Sequence, residues 1–111
     1  MAGIIDVVDN GESFQKTLRE KTKLVVLIYA SWCPFCRTFM PVFQNYAKHN
    51  PRLFMMLEDD EEKMAKQFAV NIYPSVLYFE NGIIKKRLDG VLGKGLHEEQ
   101  FALFIEQLVS L

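Results

Sequence analysis

Apolar runs and amphipathic segments alternate along the chain and predict a mixed α/β order. Residues 24–29 are continuously apolar and rich in β-branched side chains, which is typical of a strand buried on both faces. Residues 53–57 form a second such run. Residues 75–79 and 83–84 flank the dipeptide Asn81-Gly82, which tolerates positive φ and favours a tight antiparallel hairpin.

Helical spacing of apolar side chains separates these strands. Pro51 ends the second predicted helix because proline cannot continue one. The predicted order αβαβαββα gives a mixed sheet flanked by helices, in one domain over residues 1–111. The predicted helices span residues 10–21, residues 34–50, residues 61–69 and the segment from residue 98 onward.

Composition narrows the class of protein. Half of the 111 residues are apolar and 24% are charged, which excludes a disordered chain. The formal charge of -1 lacks the basic excess of a general nucleic-acid binder. No apolar run approaches the ~20 residues of a membrane span, and residues 1–11 lack the pattern of a secretory signal. We therefore expect a soluble, cytoplasmic monomer that binds neither membrane nor nucleic acid.

The two cysteines form a single C-x-x-C motif, Cys33 and Cys36. A predicted strand ends at Tyr29, and Pro34 suits the first position of the next helix. Cys33 is therefore predicted at the helix cap and Cys36 one turn inside, with both sulfurs on one side of the turn.

This placement favours redox chemistry. Unpaired backbone donors and the positive end of the helix dipole favour a thiolate at the helix N-terminus. The exposed Cys33 is predicted to attack a substrate disulfide, and Cys36 to resolve the mixed disulfide. A single pair suffices for reversible two-electron transfer without a cofactor. Trp32, next to the nucleophile, is predicted to face the substrate.

Other roles for the pair stay open. A static disulfide, half of a zinc site and a cluster that bridges two subunits are the alternatives. Zinc needs four ligands, and the remaining candidates, His49 and His97, stand alone and far along the chain.

Residues outside the cysteine motif add to a wider pattern, which consists of residues 29–36, Pro41, residues 72–75, Asn81, Gly82 and Gly90. In this pattern nearly the whole chain resembles the thioredoxin-fold proteins, and the thioredoxins more than the glutaredoxins. The resemblance implies a cis proline at Pro74 that lies against the cysteine pair. It also implies that Tyr73 offers backbone groups to an extended substrate, so that Trp32, Tyr73 and Pro74 form a docking surface.

The sequence departs from the thioredoxin pattern in three respects. Pro34-Phe35 stands between the cysteines where thioredoxins typically carry Gly-Pro. Leu27 occupies the position of a buried acid, and Met55 that of a lysine. Without that acid to accept its proton, Cys36 should be slow to activate near neutral pH, unless water or a carboxylate of Glu58 or Asp59 substitutes. The glutathione-binding pattern of glutaredoxins is also missing, so we expect inefficient use of glutathione.

We interpret the sequence as a thiol–disulfide oxidoreductase that reduces protein or peptide disulfides and is recharged by another redox protein. A catalytically weak binding module, a disulfide oxidant and an isomerase are the rival interpretations. Residues 58–62 are five consecutive acids, which we expect to be a solvated loop and helix start.

Overall fold

The computed structural model describes residues 6–8 and 11–109. A single 3-10 turn, Pro51–Leu53, precedes the third strand. The five strands are β1 (Asp6–Val8), β2 (Lys23–Tyr29), β3 (Phe54–Glu58), β4 (Ser75–Glu80) and β5 (Ile83–Leu88). The helices are α1 (Gly11–Glu20), α2 (Pro34–Ala47), α3 (Lys63–Gln67) and α4 (Glu98–Val109).

The strands form one mixed sheet in the order β1-β3-β2-β4-β5. β3 pairs in parallel with both β1 and β2, and β4 pairs antiparallel with β2 and β5. Asn81 and Gly82 turn the β4–β5 hairpin with φ of 51° and 81°, as their left-handed tolerance predicts. β2 is the central strand of the sheet. The residues that follow its carboxyl end therefore lie between the helices that cover the two faces of the sheet.

Alternate side chains of β2 enter two separate cores. Val25, Leu27 and Tyr29 pack in a cluster that also holds α2 and α4 side chains such as Phe43 and Phe101. Leu24, Val26 and Ile28 pack in a second cluster with α1 and α3 side chains. The residues of β2 after Lys23 are all buried, as expected for a strand covered on both faces.

The predicted element order lacked β1. Three residues give too short a pattern to identify a strand, and β1 is defined by its pairing with β3. α3 is also shorter than predicted, and β5 continues to Leu88 rather than ending at Ile84. Asn10, placed at the start of the first helix, lies outside the described residues, as do most of the residues tested for a secretory signal. Within residues 6–8 and 11–109, no helix is long and apolar enough to span a membrane.

Candidate active site

Cys33 caps the N-terminus of α2, where the sequence places it. Its backbone is extended, with φ of -96° and ψ of 116°, and Pro34 opens the helix. The Cys36 amide donates a hydrogen bond to Cys33 Sγ at 3.2 Å, and such a donor stabilises negative charge on sulfur.

The expectation of an exposed Cys33 is wrong. Only 5% of the residue is exposed, because Cys33 packs in the core cluster that holds Cys36 and its thiol lies 3.7 Å from the Tyr73 carbonyl oxygen. Both cysteines are free thiols. A substrate must therefore approach a sulfur that is mostly covered by the protein.

Cys36 is fully buried one turn inside α2, in the same core cluster as Leu27. Burial, with a smaller contribution from its contact with Cys33, raises the pKa of the Cys36 thiol to about 12. The fully buried Leu27 offers no proton acceptor. Cys36 is thus held as a thiol at neutral pH.

Tyr73 and Pro74 face the cysteine pair from the start of β4. The peptide bond between them is cis, as the family resemblance implies. The Tyr73 carbonyl contacts Cys33, and the Ser75 hydroxyl donates to the Ile72 carbonyl at 2.7 Å and accepts the Gly90 amide at 3.0 Å. The Ser75 hydroxyl, through its bonds to the backbone of Ile72 and Gly90, therefore holds the residues just before β4 in place.

Gly90→Ala is expected to destabilise the fold and disturb this wall. A Cβ atom at position 90 would lie 2.4 Å from the Pro74 carbonyl oxygen, so the backbone of Pro74 must shift. We expect a loss of about 1–3 kcal/mol in the free energy of unfolding, measured in urea, together with slower disulfide reduction.

Gly82→Ala is the comparison for that substitution, because Gly82 lies in the β4–β5 turn and does not line the groove at Cys33. Its Cβ would lie at an ordinary 3.9 Å from the Leu18 carbonyl oxygen, so we expect only the left-handed penalty of about 1–2 kcal/mol for its φ of +81° and an unchanged rate of disulfide reduction. An unchanged free energy of unfolding and an unchanged rate of disulfide reduction in Gly90→Ala would contradict the close approach of Gly90 to the Pro74 backbone.

Trp32 also lines the site and is 55% exposed, and its predicted role towards the substrate stays a prediction. Its indole N–H donates to the Asp60 carbonyl oxygen at 3.3 Å. Its ring meets the Tyr73 ring edge-to-face, with centroids 5.6 Å apart. The structure therefore links Trp32, Cys33, Cys36 and Tyr73 by direct contacts, and the buried Pro74 follows Tyr73 in the chain.

Two acids that the sequence analysis assigned to a solvated loop hold these walls in place. Asp59 is buried; its carboxylate accepts the amides of Met64 at 3.0 Å and Ala65 at 2.8 Å, and the Tyr73 hydroxyl at 2.7 Å. Asp60 accepts the Ser31 amide at 2.7 Å and its hydroxyl at 2.6 Å. These bonds lower the pKa of Asp60. Asp59 thus fixes the Tyr73 side, and Asp60 the Trp32 side, of the site.

A shallow groove of about 210 Å³ leads to Cys33 between these walls. Its lining is mostly apolar and includes Phe35, Ile72 and Leu92, with Glu62 and Asn71 as its polar side chains. In the part of the chain that the structure describes, no three His, Cys, Asp or Glu side chains are placed to hold a metal ion. The geometry suits an extended segment that presents a sulfur to Cys33.

The family model described as Thioredoxin matches residues 6–105 of this chain. The chain belongs to the thioredoxin family. This membership confirms the predicted fold and the predicted class of activity, a thiol–disulfide oxidoreductase. The roles of the individual residues stay predictions.

The relatives of this chain match it over different fractions of their own lengths. Thioredoxin H1 of Arabidopsis thaliana is 37% identical over 91 residues, which cover 80% of this chain and 77% of the relative. Protein disulfide-isomerase A5 of Bos taurus is 32% identical over 88 residues, 72% of this chain but only 17% of that protein. The solved thioredoxin of Plasmodium falciparum has a TM-score of 0.81 at 18% identity, covering 93% of this chain and 98% of its own, and shows the shared fold.

Proposed function

We propose that this thioredoxin-family protein is a cytoplasmic reductase of protein disulfides, with Cys33 as the nucleophile and Cys36 as the resolving thiol. The observation that carries the proposal is the unequal placement of the two sulfurs. Cys33 lies at the helix cap, against a backbone donor and at the groove, whereas Cys36 is fully buried behind it. Only one sulfur of the pair borders the groove.

The reaction follows from that order. The Cys33 thiolate attacks one sulfur of the substrate disulfide; the substrate S–S bond breaks, a mixed disulfide with Cys33 forms, and the departing thiolate takes up a proton. Cys36 then loses its proton to solvent and attacks Cys33 Sγ, and the S–S bond between Cys33 and the substrate breaks. The Cys33–Cys36 disulfide forms, and the second substrate thiol leaves. Two electrons have passed from the cysteine pair to the substrate.

Trp32, Tyr73 and Pro74 are proposed as the docking surface. Trp32 and Tyr73 contact each other through their rings and flank the opening above Cys33, and the backbone of Tyr73 reaches the sulfur itself. An extended substrate segment would lie along this wall. Because each turnover leaves the pair oxidised, a second redox protein must return two electrons to it.

The reduction potential of the Cys33–Cys36 couple tests the direction of electron flow. The protein is equilibrated with glutathione buffers and read through the fluorescence of Trp32, the only tryptophan. A potential near or below about -250 mV is expected of a reductase, since thioredoxin lies near -270 mV. A potential of about -200 mV or higher would instead assign an oxidant or isomerase, and a pair that does not cycle would exclude the enzyme.

A further inference from the structure

The groove at Cys33 has two chemically different ends. Phe35 and Leu92 line it with 41% and 82% of their surfaces exposed. Glu62, also exposed, lines it near Tyr73 and Ala65. Exposed apolar side chains beside a reactive centre mark a surface that a partner covers.

Cys33 lies between these two ends. Trp32, which precedes it, is tied to the Asp60 carbonyl, two residues before Glu62. Phe35, which follows it, packs so closely on Gly95 that a Cβ there would lie 2.7 Å from Phe35 Cβ. A segment that crosses Cys33 therefore meets an acidic neighbourhood on one side and an apolar one on the other.

The charge at the acidic end is not neutralised by the described part of the chain. Glu62 forms no ion pair there, and the neighbouring Lys63 pairs with Glu61 at 3.7 Å. No lysine or arginine lines the groove. Asp60, held by Ser31, adds a second carboxylate close to Glu62 in the chain. A cationic side chain is the complement of this surface.

We propose that the groove selects disulfide-bearing segments that carry an apolar residue on one side of the reactive cysteine and a lysine or arginine on the other. The apolar residue contacts Phe35 and Leu92, and the cationic residue faces Glu62. This inference rests on the proposed function, since it concerns substrates of the same cysteine pair.

The charge preference is tested with disulfide-linked peptide dimers that share a leucine on one side of the cysteine and differ on the other. Lysine, glutamine and glutamate are compared, in both sequence directions, by single-turnover reduction and mass spectrometry of quenched samples. We expect the lysine peptide, in one direction, to react about three- to tenfold faster than the glutamate peptide, with a ratio that falls as salt is added.

Glu62→Gln should bring that ratio close to one. Glu99→Gln is the matched control, because Glu99 is an exposed glutamate of the same charge that does not line the groove. Equal rates for the three peptides in both directions, or an unchanged ratio in Glu62→Gln, would overturn the inference while leaving the reductase intact. If the wild-type protein reduces none of the peptides, the proposed function fails instead.

The apolar end has its own test. Peptides with leucine or serine beside the cysteine should differ by about tenfold in rate. Phe35→Ala should reduce that difference, whereas Leu103→Ala, which removes an exposed leucine of α4 outside the groove, should preserve it. A leucine preference that survives Phe35→Ala would remove Phe35 from the recognition surface.

Discussion

Cys36→Ser is expected to arrest the reaction after its first exchange and leave the substrate covalently joined to Cys33. The nucleophile remains at the helix cap and at the groove, so the mixed disulfide forms as before. The second exchange needs a sulfur one turn inside α2, and serine does not supply one. Intact mass spectrometry should show an adduct with the mass of the substrate thiol, which a small dithiol then releases.

Cys33→Ser should give the opposite result. Cys36 is fully buried and does not line the groove, so no protein disulfide reaches it and no adduct forms. Turnover in either variant should fall by about 10³-fold or more, because each cysteine performs a step that no other side chain replaces. Thermal unfolding of both variants shows whether they fold. An adduct on Cys36 in the Cys33→Ser variant would reverse the assigned roles.

The elements nearest the cysteine pair could be predicted from the sequence because local signals agree there. The apolar run of β2, the helix-starting Pro34 and the spacing of two cysteines each favour the same strand–turn–helix unit. The β4–β5 hairpin is equally local, since Asn81 and Gly82 adopt the positive φ that they tolerate. Local agreement of this kind needs no knowledge of distant contacts.

The parts that sequence could not predict depend on distant partners. Asp59 and Asp60 belong to a run of five acids, which in isolation is typical of solvent. Asp59 is buried because Tyr73 and the first turn of α3 supply donors to it. Ser31, from the turn after β2, does the same for Asp60. The low exposure of Cys33 has the same origin, because Tyr73, forty residues away, lies over its sulfur.

The second large effect is expected in the pH dependence of product release. Cys36 must be a thiolate to attack Cys33, and burial raises the pKa of its thiol to about 12. Below that pKa the thiolate fraction rises about tenfold with each pH unit, so release should quicken by about a hundredfold in total from about pH 7 to about pH 9.

The formation of the mixed disulfide does not remove this effect. Once Cys33 is bonded to substrate, its sulfur carries no charge, and the smaller contributions of Cys33 to the pKa of Cys36 are lost. Burial, the largest cause, remains. Single-turnover release of the second substrate thiol, followed across this pH range, measures the step directly. A rate independent of pH would contradict a protonated Cys36.

Leu27→Asp tests whether the missing acid is the reason that Cys36 releases the product slowly near neutral pH. Leu27 and Cys36 are both fully buried in one core cluster, so a carboxylate at position 27 supplies a proton acceptor on that side of β2. Release near pH 7 should quicken by about tenfold or more and lose much of its pH dependence. A buried carboxylate in place of leucine should also lower the free energy of unfolding by about 3 kcal/mol or more, measured in urea.

Leu27→Asn separates the two consequences. Asparagine removes the same apolar packing and has nearly the same size as aspartate, but it cannot take a proton from sulfur. It should therefore destabilise the fold without quickening release. Equal release rates in the two variants would exclude the absent acid as the cause of slow resolution. If both variants fail to fold, the pH profile of the wild-type protein still decides whether Cys36 is protonated.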